Sequence, residues 1–398
     1  MKTNSSLMEP TVITSLYQLK CSSCQAVYDS TQLQTFCTSC QSPIITAFEL
    51  APASPFEVID VAERSMWRYA KFLPLLSRKH RVSLGEGLTP ILELSTLGNI
   101  LGLDKLWLKD ESFNPTGSFK ARGLSMAVSK AKELGVEACI VPTAGNAGGA
   151  LSAYCAKAGI QSTVVMPKHT PEAFKKECLA FGAELILVDG LINDCAQKVA
   201  SIKKERNCFD MSTMKEPYRL EGKKTLGYEL AEQLNWNLPD VILYPAGGGT
   251  GLIGIWKAFQ EMKRMGWITH IPTRMIAVQA ENCQPLVATF KGLQPNCSNY
   301  QGKATVANGL AVPRPFAERM MLEVLAESNG SALAIAEAEI IDNLKEISTA
   351  EGLLIAPEGA ALLAALKKLL KSGQVQPYEK ILLLNTGSGY KYLDNFDF

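Results

Sequence analysis

From Leu106 onward the chain alternates two kinds of pattern. Short apolar runs, too brief for helices and too uniformly apolar for half-exposed strands, read as strands buried on both faces. They are Leu106 to Leu108, Cys139 to Val141, Ser162 to Met166, Glu184 to Val188, Val241 to Tyr244, Met275 to Val278 and Ile381 to Asn385. Between them, apolar positions recur every three or four residues and predict helices. These cover Leu124 to Leu134, Ala147 to Lys157, Glu172 to Phe181, Asn193 to Lys204, Glu221 to Leu234, Leu252 to Met265, Ala336 to Glu351 and Gly359 to Leu370. Such alternation predicts an α/β fold with mainly parallel sheets. The strands fall into two clusters, which predicts two doubly wound domains. Residues 111–222 would form a small substrate-side domain, and residues 49–110 with 223–398 a large one. Ahead of them, Trp67, Tyr69, Phe72 and Leu73 recur at helical spacing between Phe56 and Leu76 and predict a packing face.

Composition narrows the class. A chain of 398 residues exceeds one simple core, and 47% hydrophobic with 20% charged residues is ordinary for a globular protein. Lys+Arg 40 against Asp+Glu 39 gives a formal charge of +1, so no electrostatic footprint for nucleic acid or an acidic membrane exists. No apolar run reaches the roughly 20 residues that span a bilayer. Met1 to Val12 holds one lysine and no apolar core of a signal peptide, so a cytoplasmic protein is expected.

Eleven cysteines then need a reason in a reducing compartment. Seven lie in apolar segments as small core residues. The other four form two CxxC pairs, Cys21 with Cys24 and Cys37 with Cys40, flanking a short stretch with Tyr28 and Asp29. Two such knuckles offer four thiolates, the set a structural zinc takes. Residues 1–48 are therefore expected to be a zinc-ribbon-like segment too short to fold without its ion. Leu50 to Pro55 reads as a linker.

Ligands of open α/β sheets sit beyond the carboxyl ends of the strands, and four loops there stand out. In Asn114-Pro-Thr-Gly-Ser-Phe-Lys120, Pro115 and Gly117 mark a turn and Ser118 is the expected helix cap. Lys120 then falls in the first helical turn, where the macrodipole disfavours a cation. It is either a surface lysine or a neutral amine held for a carbonyl cofactor. Thr143 to Gly149 brings backbone amides and Asn146 to the crevice, unless Asn146 only caps the next helix. Gly247, Gly248, Gly249, Thr250 and Gly251 place four glycines and a hydroxyl between a strand and a helix, a phosphate cradle of bare amides. Without a P-loop tail or dinucleotide spacing, it suits a small phosphate ester better than ATP or NAD. Thr386, after the last strand, offers a neutral hydroxyl to a ring nitrogen. The turn-rich loop Leu84 to Pro90 is a further candidate lining.

Together these loops resemble the tryptophan synthase β family of pyridoxal-phosphate enzymes, fold type II, and within it the threonine synthases. The resemblance runs from about residue 84 to 392, and cysteine knuckles also precede some threonine synthases. It implies Lys120 as the Schiff-base lysine, Asn146 beside the cofactor's 3′-hydroxyl, Gly247 to Gly251 at its phosphate and Thr386 facing its pyridine nitrogen. Thr143 and Gly145, with Asn146, would seat the substrate carboxylate. Arg219, in Tyr-Arg-Leu-Glu-Gly-Lys-Lys-Thr, would meet the substrate phosphate, and Glu86 and Thr89 fall in a segment typical of these enzymes. The implied activity turns O-phospho-L-homoserine and water into threonine and phosphate, in a homodimer. An alternative is β-elimination or β-replacement on serine, threonine or an O-phosphorylated amino acid. A third is a non-catalytic protein that kept the fold. Three positions depart from the threonine synthase pattern: Ala121 replaces an aspartate, and Ala144 and Ala147 replace hydroxyl residues of the asparagine loop. These bear on substrate rather than on cofactor or fold.

Overall fold

All seven apolar runs are strands in a computed structural model that describes residues Thr14 to Phe396. The Met1 to Val12 stretch read for a leader lies outside the described residues. In chain order the strands are β1 (Tyr17–Cys21), β2 (Val27–Tyr28), β3 (Ile44–Phe48), β4 (Ile91–Glu93), β5 (Lys105–Asp110), β6 (Ala138–Pro142) and β7 (Gln161–Pro167). There follow β8 (Glu184–Val188), β9 (Phe209–Asp210), β10 (Val241–Pro245), β11 (Arg274–Ala280), β12 (Ser331–Ile335) and β13 (Lys380–Asn385).

They form three sheets. A small antiparallel one runs β2-β1-β3. A six-stranded sheet runs β12-β11-β10-β13-β5-β4, parallel except for β4. A four-stranded parallel sheet runs β8-β7-β6-β9. The largest apolar core packs about the six-stranded sheet, and two further clusters flank the four-stranded one. Among the described residues no helix is long and apolar enough to cross a membrane.

The expected helices are present, and most begin a few residues early: Lys120–Glu133, for example, and Tyr218–Gln233. The second is buried almost from end to end: Glu221, Lys224, Glu229 and Glu232 are spent on ion pairs, whereas Arg219 and Lys223 donate to main-chain oxygens. The Phe56 to Leu76 stretch departs from the expectation of one helical face. It holds a single turn at Pro55–Val58 and a 3₁₀ segment at Met66–Phe72. The reason is that its apolar residues serve two cores. Met66, Trp67 and Leu73 enter the cluster beside the four-stranded sheet, whereas Tyr69 and Phe72 enter the large one. A single stripe cannot face both ways.

Candidate active site

β10, β13 and β5 are neighbours in one parallel sheet, so their carboxyl ends release the glycine loop, the Thr386 loop and the lysine loop side by side. Main-chain bonds stitch the last two together. Phe119 N donates to Thr386 O at 3.1 Å, and Ser388 N to Gly117 O at 3.0 Å. The asparagine loop arrives from the other sheet, at the end of β6. Between them lies a cleft lined by Lys120, Thr143, Ala144, Gly145, Asn146, Ala147, Gly247, Gly248, Gly249, Thr250 and Thr386. The geometry thus gathers residues spread over some 270 positions of sequence.

Lys120 is the first residue of its helix and half-buried in the cleft wall. Burial brings its amine down from the usual 10.5 to about 7; the charge of Arg219 adds to this and that of Glu358 opposes it. Buried Lys223 lies close by, donating to Phe119 O, and burial together with the charge of Lys120 holds it well below the ordinary lysine value. Ser118 does not cap the helix. It is extended, bridged to Gly387, and its buried hydroxyl has no partner. Phe119 occupies the cap position instead. Asn146 likewise is not a cap: Gly145 holds that place, which leaves the asparagine side chain free to face the cleft. The Thr143 hydroxyl accepts from Gly145 N at 3.0 Å and shapes the loop.

The glycine loop fits a phosphate. Among the described residues, the amides of Gly247, Gly248 and Gly249 have no acceptor in the protein. The Thr250–Met265 helix begins there without a side-chain cap, and its dipole favours an anion. A Cβ on Gly247 would collide with Gly309 O, and Gly249 sits at φ 79°. Both therefore require glycine. Gly251 is outside the lining: its N–H donates to the Tyr244 hydroxyl at 3.1 Å. Arg219 also stands back from the cleft, behind Thr213. Its Nη1 donates to Met211 O at 2.5 Å, and its buried Nε has no partner.

The sequence reading missed other lining groups. Glu358 lies in the first turn of the helix Pro357–Lys371, whose first ten residues are otherwise uncharged, and its lone carboxylate was the available signal. It accepts from Gly309 N at 2.6 Å and Tyr392 OH at 2.9 Å, and burial raises its carboxyl above the usual range. Asn308 to Leu310 and Val312 roof the cleft from a loop with no motif. The Leu84 to Pro90 loop, by contrast, is outside the lining of this cleft. Glu86 is spent on Trp67 Nε1, Ser125 and Tyr154, and Thr89 on Glu111, so this loop braces the lysine motif from behind.

Cys21 ends β1 and the other three cysteines lie in the turns beside it, and the sulfurs of Cys21, Cys24, Cys37 and Cys40 lie within 4.8 Å of one another. Cys21 and Cys40 sulfurs are 3.4 Å apart, and Cys24 and Cys37 3.6 Å. Four thiolates about 2.3 Å from one ion would sit near these separations.

Residues 82–387 match the model of the pyridoxal-phosphate dependent enzyme family. Threonine synthase of Methanocaldococcus jannaschii is 34% identical over 330 residues, 83% of this chain and 81% of that protein. Threonine synthase of Methanosarcina acetivorans is 32% identical over 374 residues, 94% of this chain and 91% of that one. The crystal structure of a pyridoxal 5′-phosphate-dependent aspartate racemase aligns with a TM-score of 0.65 at 22% identity, covering 75% of this chain and 90% of that one. Diaminopropionate ammonia lyase from Escherichia coli aligns with a TM-score of 0.66 at 17% identity, over 85% and 91%. The structural likenesses show the fold, the fold type II expected from the sequence. The chain belongs to the family of pyridoxal-phosphate dependent enzymes.

Proposed function

We propose that this member of the family is a pyridoxal-phosphate-dependent threonine synthase, a lyase converting O-phospho-L-homoserine and water to L-threonine and phosphate. The observation that carries the reading is one cleft in which the Lys120 amine meets the unpartnered amides of Gly247 to Gly249. Lys120 would hold the cofactor's carbonyl carbon, and the amides of Gly247, Gly248, Gly249 and Thr250 its phosphate. Gly251 lets the helix pack against Tyr244. Asn146 would face the ring hydroxyl and Thr386 the ring nitrogen. Once bound, the cofactor supplies an electron sink for a carbanion at the substrate's α-carbon.

The chain's own residues supply the rest. Lys120 is the one amine lining the cleft among the described residues, and it is poised near neutral pH to take and return protons. In the net reaction the γ-carbon–oxygen bond breaks and phosphate leaves. The water oxygen bonds the β-carbon, and the γ-carbon ends as a methyl group. Thr143, Gly145 and Asn146 take the carboxylate. Arg219, whose buried Nε has no partner and whose Nη1 reaches the Thr213 hydroxyl, would supply positive charge behind the cleft wall for the leaving phosphate.

Purified protein given O-phospho-L-homoserine is expected to release threonine and phosphate one for one. Ala144 and Ala147, which line the cleft without hydroxyls, favour the second reading, β-elimination or β-replacement. A 2-oxo acid with ammonia from serine or threonine, and no threonine from O-phospho-L-homoserine, would establish that reading and overturn the first.

The reading extends to a cytoplasmic homodimer that acts on a small amino acid and binds no nucleic acid, as the formal charge of +1 supports. The strands of the four-stranded sheet all fall within 111–222, which supports a small domain there against 49–110 with 223–398. The four-cysteine cluster of the 1–48 segment holds a structural zinc. Protein purified without chelator is expected to carry one zinc per chain, and Cys37→Ser to lose most of it. Metal analysis showing equal zinc in both proteins would sink that assignment.

A further inference from the structure

Lys391, in the 3₁₀ segment Gly389–Asn395, joins parts of the site that arrive from different sheets. An ammonium has three N–H donors, and the structure gives Nζ three partner groups. They are Thr116 O at 2.7 Å, Asn146 Oδ1 at 3.2 Å and the Glu177 carboxylate at 2.9 and 2.8 Å. The ion pair is largely buried, at 15% and 14% exposure, and the ring of Phe174 lies 5.3 Å from Nζ. Glycines make room for it. A Cβ on Gly149 would run into the Glu177 carboxylate, and one on Gly117 would press on Lys391 Cε at 3.4 Å. Gly149 thus has a purpose that cofactor phosphate and amine chemistry do not give it.

The arrangement has a consequence for Asn146. A lysine can only donate, so the amide must turn Oδ1 toward Lys391. Nδ2 is then the polar atom left over. Among the described residues it has no acceptor, and it lies 3.2 Å from where a Cβ on Gly387 would stand, beside Thr386.

We propose that Lys391 is a positioning residue: it orients the Asn146 amide so that the Nδ2 donors face the cleft, and Glu177 holds Lys391 in place for this. The proposal rests on the cofactor reading above, because the acceptor it prepares for is the oxygen on the cofactor ring. A donor on that oxygen makes it a poorer base. Losing the donor therefore raises the pH at which the visible band of the lysine-linked cofactor titrates.

The test compares wild type, Lys391→Met, Lys391→Arg and Glu177→Gln, each stripped of cofactor and reloaded with pyridoxal phosphate. Lys391→Met is expected to bind it roughly 10- to 100-fold more weakly, as loss of a charged hydrogen bond implies, and to titrate at higher pH. Lys391→Arg keeps the donors and should restore most of the midpoint. Glu177→Gln, which keeps shape, should move it the same way by less and decides the matter if Lys391→Met does not fold. A wild-type band with an unmoved midpoint and affinity in Lys391→Met, or in Glu177→Gln where only that variant folds, overturns the positioning role alone. Absence of the band in wild type overturns it together with the cofactor reading.

Discussion

Lys120→Ala protein is expected to come off purification colourless, without the visible band that wild type carries, and to turn over substrate about 10⁴-fold more slowly. Both losses have one cause. Lys120 is the amine in the cleft, and its surroundings keep it reactive: burial first and then Arg219 lower it to about 7, against the pull of Glu358. Lys223 is close, but its Nζ is turned onto Phe119 O. The same balance predicts a pH dependence in cofactor-free wild type. Condensation with pyridoxal needs the neutral amine, so its rate should rise through a midpoint near 7 rather than near 10.5. The stability effect follows from which state holds the proton. Between about 7 and 10.5 the unfolded chain binds a proton that the folded chain has released, so the cofactor-free fold should gain stability as pH rises across that window. An unaltered band in Lys120→Ala, with reductive labelling at another lysine, would move the chemistry off this residue.

The parts of this molecule that sequence revealed are those where local chemistry and fold agree. β5, β6, β10 and β13 are buried on both faces, so they appear as plain apolar runs, and the loops at their carboxyl ends carry glycines that serve no strand or helix. Lys120, Asn146, Gly247 to Thr250 and Thr386 were found that way. What stayed hidden depends on contacts between distant segments. Glu86 carries the same letter whether it lines a pocket or, as here, ties Trp67 to Tyr154. Tyr392 and Lys391 sit in a C-terminal 3₁₀ segment with no period, and reach the site because that segment folds back between the two sheets. Asn308 to Val312 matter only because Gly309 lies against Gly247. Ser118 and Asn146 show the converse. Each has the residue type of a helix cap, yet tertiary bonds hold one as a bridge and leave the other for the cleft.

Two residues beyond Lys120, Arg122→Met is expected to destabilise the fold by about 3–5 kcal/mol at neutral pH, the usual cost of removing one partner from a buried ion pair. Set against a total of roughly 5–15 kcal/mol, this is enough to show as a large fall in the guanidinium midpoint. Arg122 is wholly buried and bonds two carboxylates at once. Nε and Nη2 donate to Glu111, and Nη1 and Nη2 to Glu229, all at 2.7–2.8 Å, while Lys109 meets Glu229 at 2.6 Å. Burial alone would raise both carboxyls, but Arg122, with Lys109, outweighs it and holds both below the ordinary range. In wild type the pair therefore stabilises the fold above the unfolded carboxylate value of about 4.3, and that contribution is lost as pH falls below it. Removing Arg122 reverses the sign at Glu111, which keeps no ion-pair partner, so burial now favours its protonated form. The variant should then lose stability as pH rises above about 4.3, so its deficit against wild type should widen from about pH 4 to pH 7 and narrow further below about 4.3, where wild type loses the pair's contribution. Denaturation curves across that range decide it. A deficit of constant size would mean that Arg122 acts through packing alone, and that the charges behind the lysine motif do not hold it in place.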